Sequence, residues 1–220
     1  MKLSLEQGQL TEYVVRQLNF FFPDKHRITT SIVKGLVVAT LDRVRFSFKH
    51  IRMKYYFDGK NVLFNHLNSD HYCVFLYYLS NTAYRKRIFD VAEKVFYLNK
   101  SLHGIDVFYS VKLPDIFMVV HPVGTVLGNA HYENHLVVYQ NCSIGSNLEN
   151  TYPKLGENII FYARSSIIGN CEIGANVVFA ANSFVINQNI SKDTVVFGSY
   201  PSLVLKKNTK KIIKKYFFKP

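Results

Sequence analysis

The sequence predicts an α+β fold: a helical domain over residues 1–103, a parallel β-helix over 104–203, and a basic C-terminal tail over 204–220. Three observations carry this reading. Apolar residues in the first hundred positions recur at spacings of three and four, the period of one helical face. After Gly104 they recur every sixth residue, which neither helix nor flat strand explains. The last sixteen residues, "LKKNTKKIIKKYFFKP", are dominated by lysine.

The first helix is expected in "SLEQGQLTEYVVRQLNFFFPD". Ser4 stands three residues before Gln7 in the manner of a capping box, and Pro23 ends the segment. Leu10, Val14, Leu18 and Phe21 mark its buried face. A second, longer helix is expected from Thr29 to Phe57, with Gly35 as its weak point. The stretch from Asp70 to Gly104 supplies a third and a fourth helix. Asp58-Gly59 and Asn68-Ser69 are the expected turns.

In the second half Leu155, Phe161, Ile167, Ile173, Phe179 and Val185 are each six residues apart, and all are apolar. Compact residues precede most of them by two positions. Upstream, Val107, Leu113 and Val119 keep the same step, and it resumes at Tyr132, Val138 and Ile144 after a one-residue slip placed near Thr125. A hexapeptide repeat belongs to a parallel β-helix, whose three faces make a coil of about eighteen residues. Stacked coils then lie roughly 4.8 Å apart. "SNLENTYPK" interrupts the repeat after Gly145 and reads as a loop leaving the prism, the kind of place where sites are built. "NQNISKDTVVFGSYP" reads as a last partial coil.

Lysine and arginine outnumber aspartate and glutamate by 27 to 15, a formal charge of +12, which favours an anionic partner without naming it. The three cysteines, Cys73, Cys142 and Cys171, are too scattered for a disulfide framework or a metal pair. The N-terminus turns polar too early for a signal peptide, and the longest apolar run, "GLVVATL", is far short of a membrane span. A cytoplasmic protein without a transmembrane segment is expected.

Within "FMVVHPVGTVLG" a single histidine, His121, stands among apolar residues. In a coil of about eighteen, residues fifteen apart lie on adjacent coils, so Asp106 can approach His121 from the neighbouring turn. The spacing equally allows Asp106 to cap the start of the prism.

From Gly104 to about Pro201 the chain resembles the serine acetyltransferases, a branch of the left-handed β-helix acyltransferases. "GIDVFYSVKLPDIFMVVHPVGTVLG" resembles without a gap the stretch that holds the family's catalytic aspartate and histidine. "VYQNCSIG" and "YPKLGENIIFYARSSIIGNCEIGANVVFAANSFV" resemble the segments beside its acetyl-CoA groove. The resemblance implies His121 as general base, Asp106 as its partner, and acetyl-CoA as acetyl donor with no metal. It implies sites between the copies of a homotrimer, or of a dimer of trimers. Ala163 and Ala181 match the positions whose backbone contacts the pantetheine arm, and Lys206 and Lys207 follow a turn near the nucleotide. A backbone N–H near Gly145 is the candidate for the oxyanion.

The departures concern the acceptor. The family's Arg-His pair before proline is Thr151-Tyr152 here, and the aspartate before its catalytic histidine is Val120. Leaving the charged ends of a free amino acid unpartnered costs a few kcal/mol, by an order-of-magnitude estimate. The expected acceptor is therefore an uncharged hydroxyl against Val120, Thr151 and Tyr152, as on a sugar in cell-surface polysaccharide synthesis. L-serine is the alternative acceptor. Tyr162 and Arg164 replace two family glycines and put the groove's width in question.

Two rival readings stand beside this one. A trimeric scaffold without activity would explain the lost glycines and the positive surface. His131 and His135 raise a zinc site, but their spacing supplies no three-ligand set with His121. Nucleic acid is disfavoured as a partner because the aromatic residues recur at core positions rather than alternating with basic ones.

Overall fold

The computed structural model describes residues 1–218. Its first half consists of β1 (Lys2–Leu3), α1 (Gln7–Phe21), α2 (Thr30–Phe48), β2 (Leu63–Phe64), α3 (Ser69–Arg85) and α4 (Phe89–His103). Leu10, Val14 and Leu18 bury the inner face of α1 as their spacing predicts, whereas Phe21 lies outside it, 42% exposed. The helix starts two residues later than expected. Gln9 closes it by accepting the Glu6 N–H at 3.1 Å, while the Ser4 hydroxyl is turned to His66 Nδ1 at 2.8 Å.

Helix α2 passes through Gly35 but stops at Phe48, well short of Phe57. Its expected continuation is drawn away by the far end of the chain: Ile51 forms a β-bridge with Phe217, and the Arg52 N–H donates to the Tyr216 carbonyl at 2.7 Å. Gly59 makes the expected turn at φ 94°, with Asp58 accepting the Lys60 and Asn61 N–H groups. Asn68 is the N-cap of α3 rather than a free turn; its side chain accepts the Asp70 and His71 N–H groups. Helix α3 is the hub of this half, buried from Asp70 to Ala83.

The second half is a parallel β-helix. Its strands are β3 (Phe117–Val119), β4 (Val126–Leu127), β5 (His131–Tyr132), β6 (Leu136–Val138), β7 (Ser143–Gly145), β8 (Lys154–Leu155), β9 (Ile159–Phe161), β10 (Ser166–Ile168), β11 (Glu172–Ile173), β12 (Val178–Phe179), β13 (Phe184–Ile186), β14 (Thr194–Phe197) and β15 (Val204–Lys207). Three ladders form its faces: β3-β6-β9-β12-β14, β4-β7-β10-β13 and β5-β8-β11. The six-residue positions stack in register as inward columns: Val138 on Phe161 on Phe179, Ile144 on Ile167 on Val185, and Tyr132 on Leu155 on Ile173. All of these are buried, and the Phe161 and Phe179 rings stack at 4.3 Å. That continuous dry column is what makes the prism rigid.

The corners turn on left-handed residues, chiefly asparagine, which tolerates positive φ better than other side chains. Asn141, Arg164 and Asn182 turn one edge, and His135, Asn158, Asn176 and Asp193 turn another. The slip placed near Thr125 is two changes. The inward residue after Val119 is Leu127, eight residues on, where later coils take six (Val138 to Ile144, Phe161 to Ile167). The next step, Leu127 to Tyr132, is one residue short. The two surplus residues fall at the corner that holds His121 and Pro122.

The C-terminal segment is not a free tail. Strand β15 returns antiparallel along β14, and the Asn208 amide then donates to the Asn176 carbonyl at 3.0 Å. Ile213, Tyr216 and Phe217 are buried, and Phe217 meets the His135 ring edge-on at 5.2 Å. The outward residues of this face, Val137, Ile160 and Val178, are as buried as the core, and the returning chain packs beside them on Tyr139, Tyr162 and His135. The lysines from Lys206 to Lys215 stay exposed. Among the described residues no helix is long and apolar enough to cross a membrane.

Candidate active site

The stacked first coil fixes where His121 sits. Val119 ends β3 in the core, the Val120 N–H donates to the Val138 carbonyl at 2.9 Å, and the expanded corner then carries His121 outward. His121 is exposed, with φ 51°. Left-handed backbone at a residue with a β-carbon costs about 1 kcal/mol, so surrounding contacts must hold it. The corner turn itself is made by Gly124 at φ 73°, where a β-carbon would lie 2.2 Å from Asn141 Oδ1. His121 is therefore an addition to the corner rather than part of its turn.

The contact that holds it comes from the helical half. Tyr77 of α3 donates to the Val111 carbonyl and accepts the Leu113 N–H, both at 2.9 Å, and Tyr78 donates to the Asp115 carbonyl at 3.1 Å. Phe117 packs edge-on against both rings. These contacts seat α3 on the first coil and bring its N-terminal turn to the corner. There Asp70 Oδ1 accepts the His121 backbone N–H at 3.2 Å. Burial raises the Asp70 carboxyl above the usual carboxylate range, while the His121 N–H, the nearby imidazole and the Ser69 hydroxyl pull it back.

Asp106 has a partner that its spacing did not reveal. Its backbone joins the first coil, pairing with Val126, and its carboxylate is held by Lys100 Nζ at 2.6 Å. No hydrogen bond or ion pair links Asp106 to His121 among the described residues. Its backbone stands at the start of the prism, and the carboxylate that accepts the His121 backbone N–H is Asp70. Sequence reasoning missed Asp70. The only local signal was an acidic residue in the first turn of a helix capped by asparagine.

Below His121 the same edge of the prism continues through Gln140, Ala163 and Ala181, joined by Arg164 N–H to Gln140 carbonyl at 3.0 Å and Asn182 N–H to Ala163 carbonyl at 3.1 Å. The two alanines thus stack on successive coils; above them the column continues through Gln140 to Val123, whose carbonyl accepts the Asn141 N–H at 3.0 Å, two residues after His121 at the same corner. The alanine methyl groups leave the backbone open to a thin extended arm. Arg164 is exposed. Tyr162 is half-buried and faces away along the C-terminal segment, its hydroxyl 3.3 Å from that of Tyr216. At the foot of the column Ala180 donates to Val196, next to Phe197, and Lys206 Nζ lies 5.5 Å from the Phe197 ring. Lys206 and Lys207 are both exposed on β15. The edge so formed, histidine above, small residues between and lysines below, fits a long anionic thioester such as acetyl-CoA.

The other predicted residues lie elsewhere on the protomer. Gly145 ends β7, at the opposite end of its face from the His121 corner. Thr151 and Tyr152 belong to the loop that follows it. The Thr151 N–H donates to Asn147 Oδ1 at 2.9 Å, and the Tyr152 ring packs so closely on Gly128 that a β-carbon there would lie 3.0 Å from it. Neither is brought to His121 within one chain. His131 pairs with Glu133 at 2.7 Å, and His135 occupies a left-handed corner position under Phe217. No three residues able to ligate a metal converge among the described residues. Cys142 and Cys171 are buried, and burial pushes both thiols up. An open groove of about 510 Å³ lies on the third face, between His131, Lys154, Glu172 and Ser191, away from His121.

No family model matches the chain. Among curated proteins it is similar to the serine acetyltransferase of Staphylococcus xylosus, 24% identical over 149 residues, which cover 66% of this chain and 68% of that protein. Against the serine acetyltransferase of a Staphylococcus epidermidis strain, the match, 26% identical over 135 residues, spans 60% of this chain and 58% of the relative's length. Among solved structures, the fold superposes on a serine acetyltransferase from Brucella abortus strain S19 in complex with coenzyme A, with a TM-score of 0.69 at 15% identity, covering 93% of this chain and 83% of that one. A serine acetyltransferase in complex with cysteine superposes with a TM-score of 0.72 at 15% identity, covering 96% and 84%. Hexapeptide repeat, coil architecture and sequence relatives together fit a serine acetyltransferase-like hexapeptide-repeat acyltransferase.

Proposed function

We propose that the protein transfers the acetyl group of acetyl-CoA to a hydroxyl of a small acceptor, with His121 as the general base. The observation that carries this is an exposed histidine at the same corner of the prism, two residues before Val123, which heads the column of Gln140, Ala163 and Ala181. The names of the sequence relatives and the coenzyme A complex of a structural neighbour support it.

In this reaction His121 takes the proton of the acceptor hydroxyl as its oxygen attacks the thioester carbonyl. A C–O bond forms, the C–S bond breaks, and the proton passes to the leaving thiolate, giving an O-acetyl ester and free CoA. Imidazole suits both steps because it exchanges a proton near neutral pH. Lys206 and Lys207 supply the charge for CoA phosphates. Thr151 and Tyr152 lie on a different edge from His121, so the acceptor pocket is completed by the loop of a second copy in a trimeric unit.

For the acceptor, L-serine is better supported than the sugar hydroxyl expected from the sequence, because the relatives are serine acetyltransferases. The sugar reading rests on Val120, Thr151 and Tyr152, none of which carries a charge. Thiol release from acetyl-CoA, with L-serine as sole acceptor and then with a panel of sugars, tests both. Turnover on serine with an O-acetylserine product is the expected result. Turnover on sugars alone would restore the sugar reading, and no release with any acceptor would leave a scaffold.

A further inference from the structure

Acetyl transfer makes no use of the place where the excess positive charge is gathered. Residues 43–57 hold five Lys/Arg and no Asp or Glu, and residues 194–220 hold seven lysines and no acid. The fold lays these two stretches side by side. Ile51 bridges Phe217, the Phe218 N–H donates to the His50 carbonyl at 3.0 Å, and Arg52 Nη1 donates to the Lys214 carbonyl at 3.0 Å. Where they meet, a cavity of about 530 Å³ opens between the end of α2 and the turn at Gly59. Its lining combines Arg45, Lys49, His50 and Lys60 with the rings of Phe57 and Phe218.

Ordinary structural duties do not account for these cations. The last carbonyls of α2 already have partners: the Lys49 N–H on Arg45, His50 Nδ1 on Phe46, the His50 N–H on Ser47 and the Ile51 N–H on Phe48. Lys49 Nζ lies instead over the Phe46 ring, 5.2 Å from its centre. Among the described residues neither Lys49 nor Lys60 has an acidic partner, and Arg45 has only Asp42 at 3.5 Å. Asp58, the other carboxylate nearby, is held by Lys2 at 3.2 Å and by the Lys60 and Asn61 N–H groups. Like charges gathered in this way repel one another, and a bound anion relieves that repulsion.

We propose that this cavity is a second ligand site, which takes a nucleoside diphosphate: Arg45, Lys49 and Lys60 hold the diphosphate, and the base lies against Phe57 and Phe218. The cavity falls within the roughly 300–1,000 Å³ of small-molecule sites, and a concave site suits a compact ligand better than a polymer or a bilayer. A diphosphate matches the three cations in charge. Phe218 meets Phe57 edge-on at 5.7 Å, and the Arg52 guanidinium lies 5.6 Å from its centre, yet its ring is still 45% exposed. That leaves an aromatic surface on which a flat ring can stack. The cavity shares no residue with the edge of Ala163 and Ala181 or with Lys206 and Lys207, so it is separate from the proposed coenzyme groove.

The test is isothermal titration calorimetry of the full chain at low salt, with ADP and with pyrophosphate. ADP should bind about tenfold more tightly than pyrophosphate, since only ADP has a ring to stack. Lys49→Gln combined with Lys60→Gln should weaken ADP about tenfold or more, whereas Lys206→Gln, which removes a charge elsewhere, should leave it in place. Phe218→Ala should bring ADP down to the level of pyrophosphate. Circular dichroism of each variant confirms that it is folded. ADP binding lost in Lys206→Gln and kept in the Lys49/Lys60 variant would put the nucleotide in the coenzyme groove and overturn the proposal. So would equal affinity for ADP and pyrophosphate, or a wild-type protein that binds phosphatidylglycerol vesicles or nothing in place of ADP. These measurements need no turnover, so the second site stands or falls apart from acetyl transfer.

Discussion

The Tyr216 hydroxyl lies 2.9 Å from that of Tyr139 and 3.3 Å from that of Tyr162, so one residue of the C-terminal segment bridges two stacked corners of the β-helix. Beside it Phe217 is fully buried and Ile51 of the helical half pairs with it. The segment is a strap across both halves, and its aromatic residues should weigh unequally. Phe217→Ala should cost about 3–5 kcal/mol, the loss for a buried phenylalanine with a residual cavity. Tyr216→Phe should cost only about 1 kcal/mol, since it removes hydroxyl contacts and keeps the ring. Urea unfolding of the two variants beside wild type reads the difference, and equal costs would show that the strap is not packed as described.

His121 is exposed and takes no part in the core, so His121→Asn should leave unfolding unchanged within about 0.5 kcal/mol. Asparagine also suits the left-handed backbone there. Thiol release should fall at least 100-fold, the lower end for losing a general base. An active His121→Asn protein would remove the mechanism.

The prism was legible in the sequence because its inward columns repeat: Leu155, Phe161 and Ile167 stack on Ile173, Phe179 and Val185 in the register their spacing implies. His121 was legible as the one histidine in an apolar run and from that run's resemblance to the serine acetyltransferases, not from the register, which it interrupts. The carboxylate that accepts its backbone N–H was not. Asp70 lies fifty-one residues earlier in a helix, and only the seating of α3 by Tyr77 and Tyr78 brings it to the corner, a tertiary event with no local pattern. The strap was hidden for a similar reason. Ile213, Tyr216 and Phe217 sit among lysines, and composition registered the charge while the three apolar residues decided the burial. The end of α2 was misread because what stops it is Phe217, at the other end of the chain.

The groove edge gives a steric prediction. Ala181 is exposed and Ala163 half-buried, so a larger side chain at either need not disturb the core. Ala163→Leu and Ala181→Leu should each raise the acetyl-CoA KM about tenfold or more, with unfolding little changed, because the branched chain occupies the space of the thin arm. Lys206→Ala should raise it several-fold, about 1 kcal/mol, and flatten its dependence on salt. Leucine variants with wild-type KM would place the thioester elsewhere.

His71 and His103 set a pH dependence of stability apart from catalysis. Both are held down to about 4, chiefly by burial. His71 Nδ1 accepts the Asn65 N–H at 3.2 Å, which protonation would destroy, and His103 Nδ1 is 2.7 Å from Asn99 Oδ1. The unfolded chain takes up these two protons near pH 6.5, whereas the folded chain refuses them until near pH 4. Stability from both is therefore complete above about pH 6.5 and is lost as the pH falls toward 4, on the order of 3 kcal/mol for each. Urea midpoints should fall steeply between pH 6.5 and 4 in the wild type. His71→Gln and His103→Gln should each be less stable at neutral pH yet show a shallower slope, and a wild-type profile flat across that window would sink the assignment.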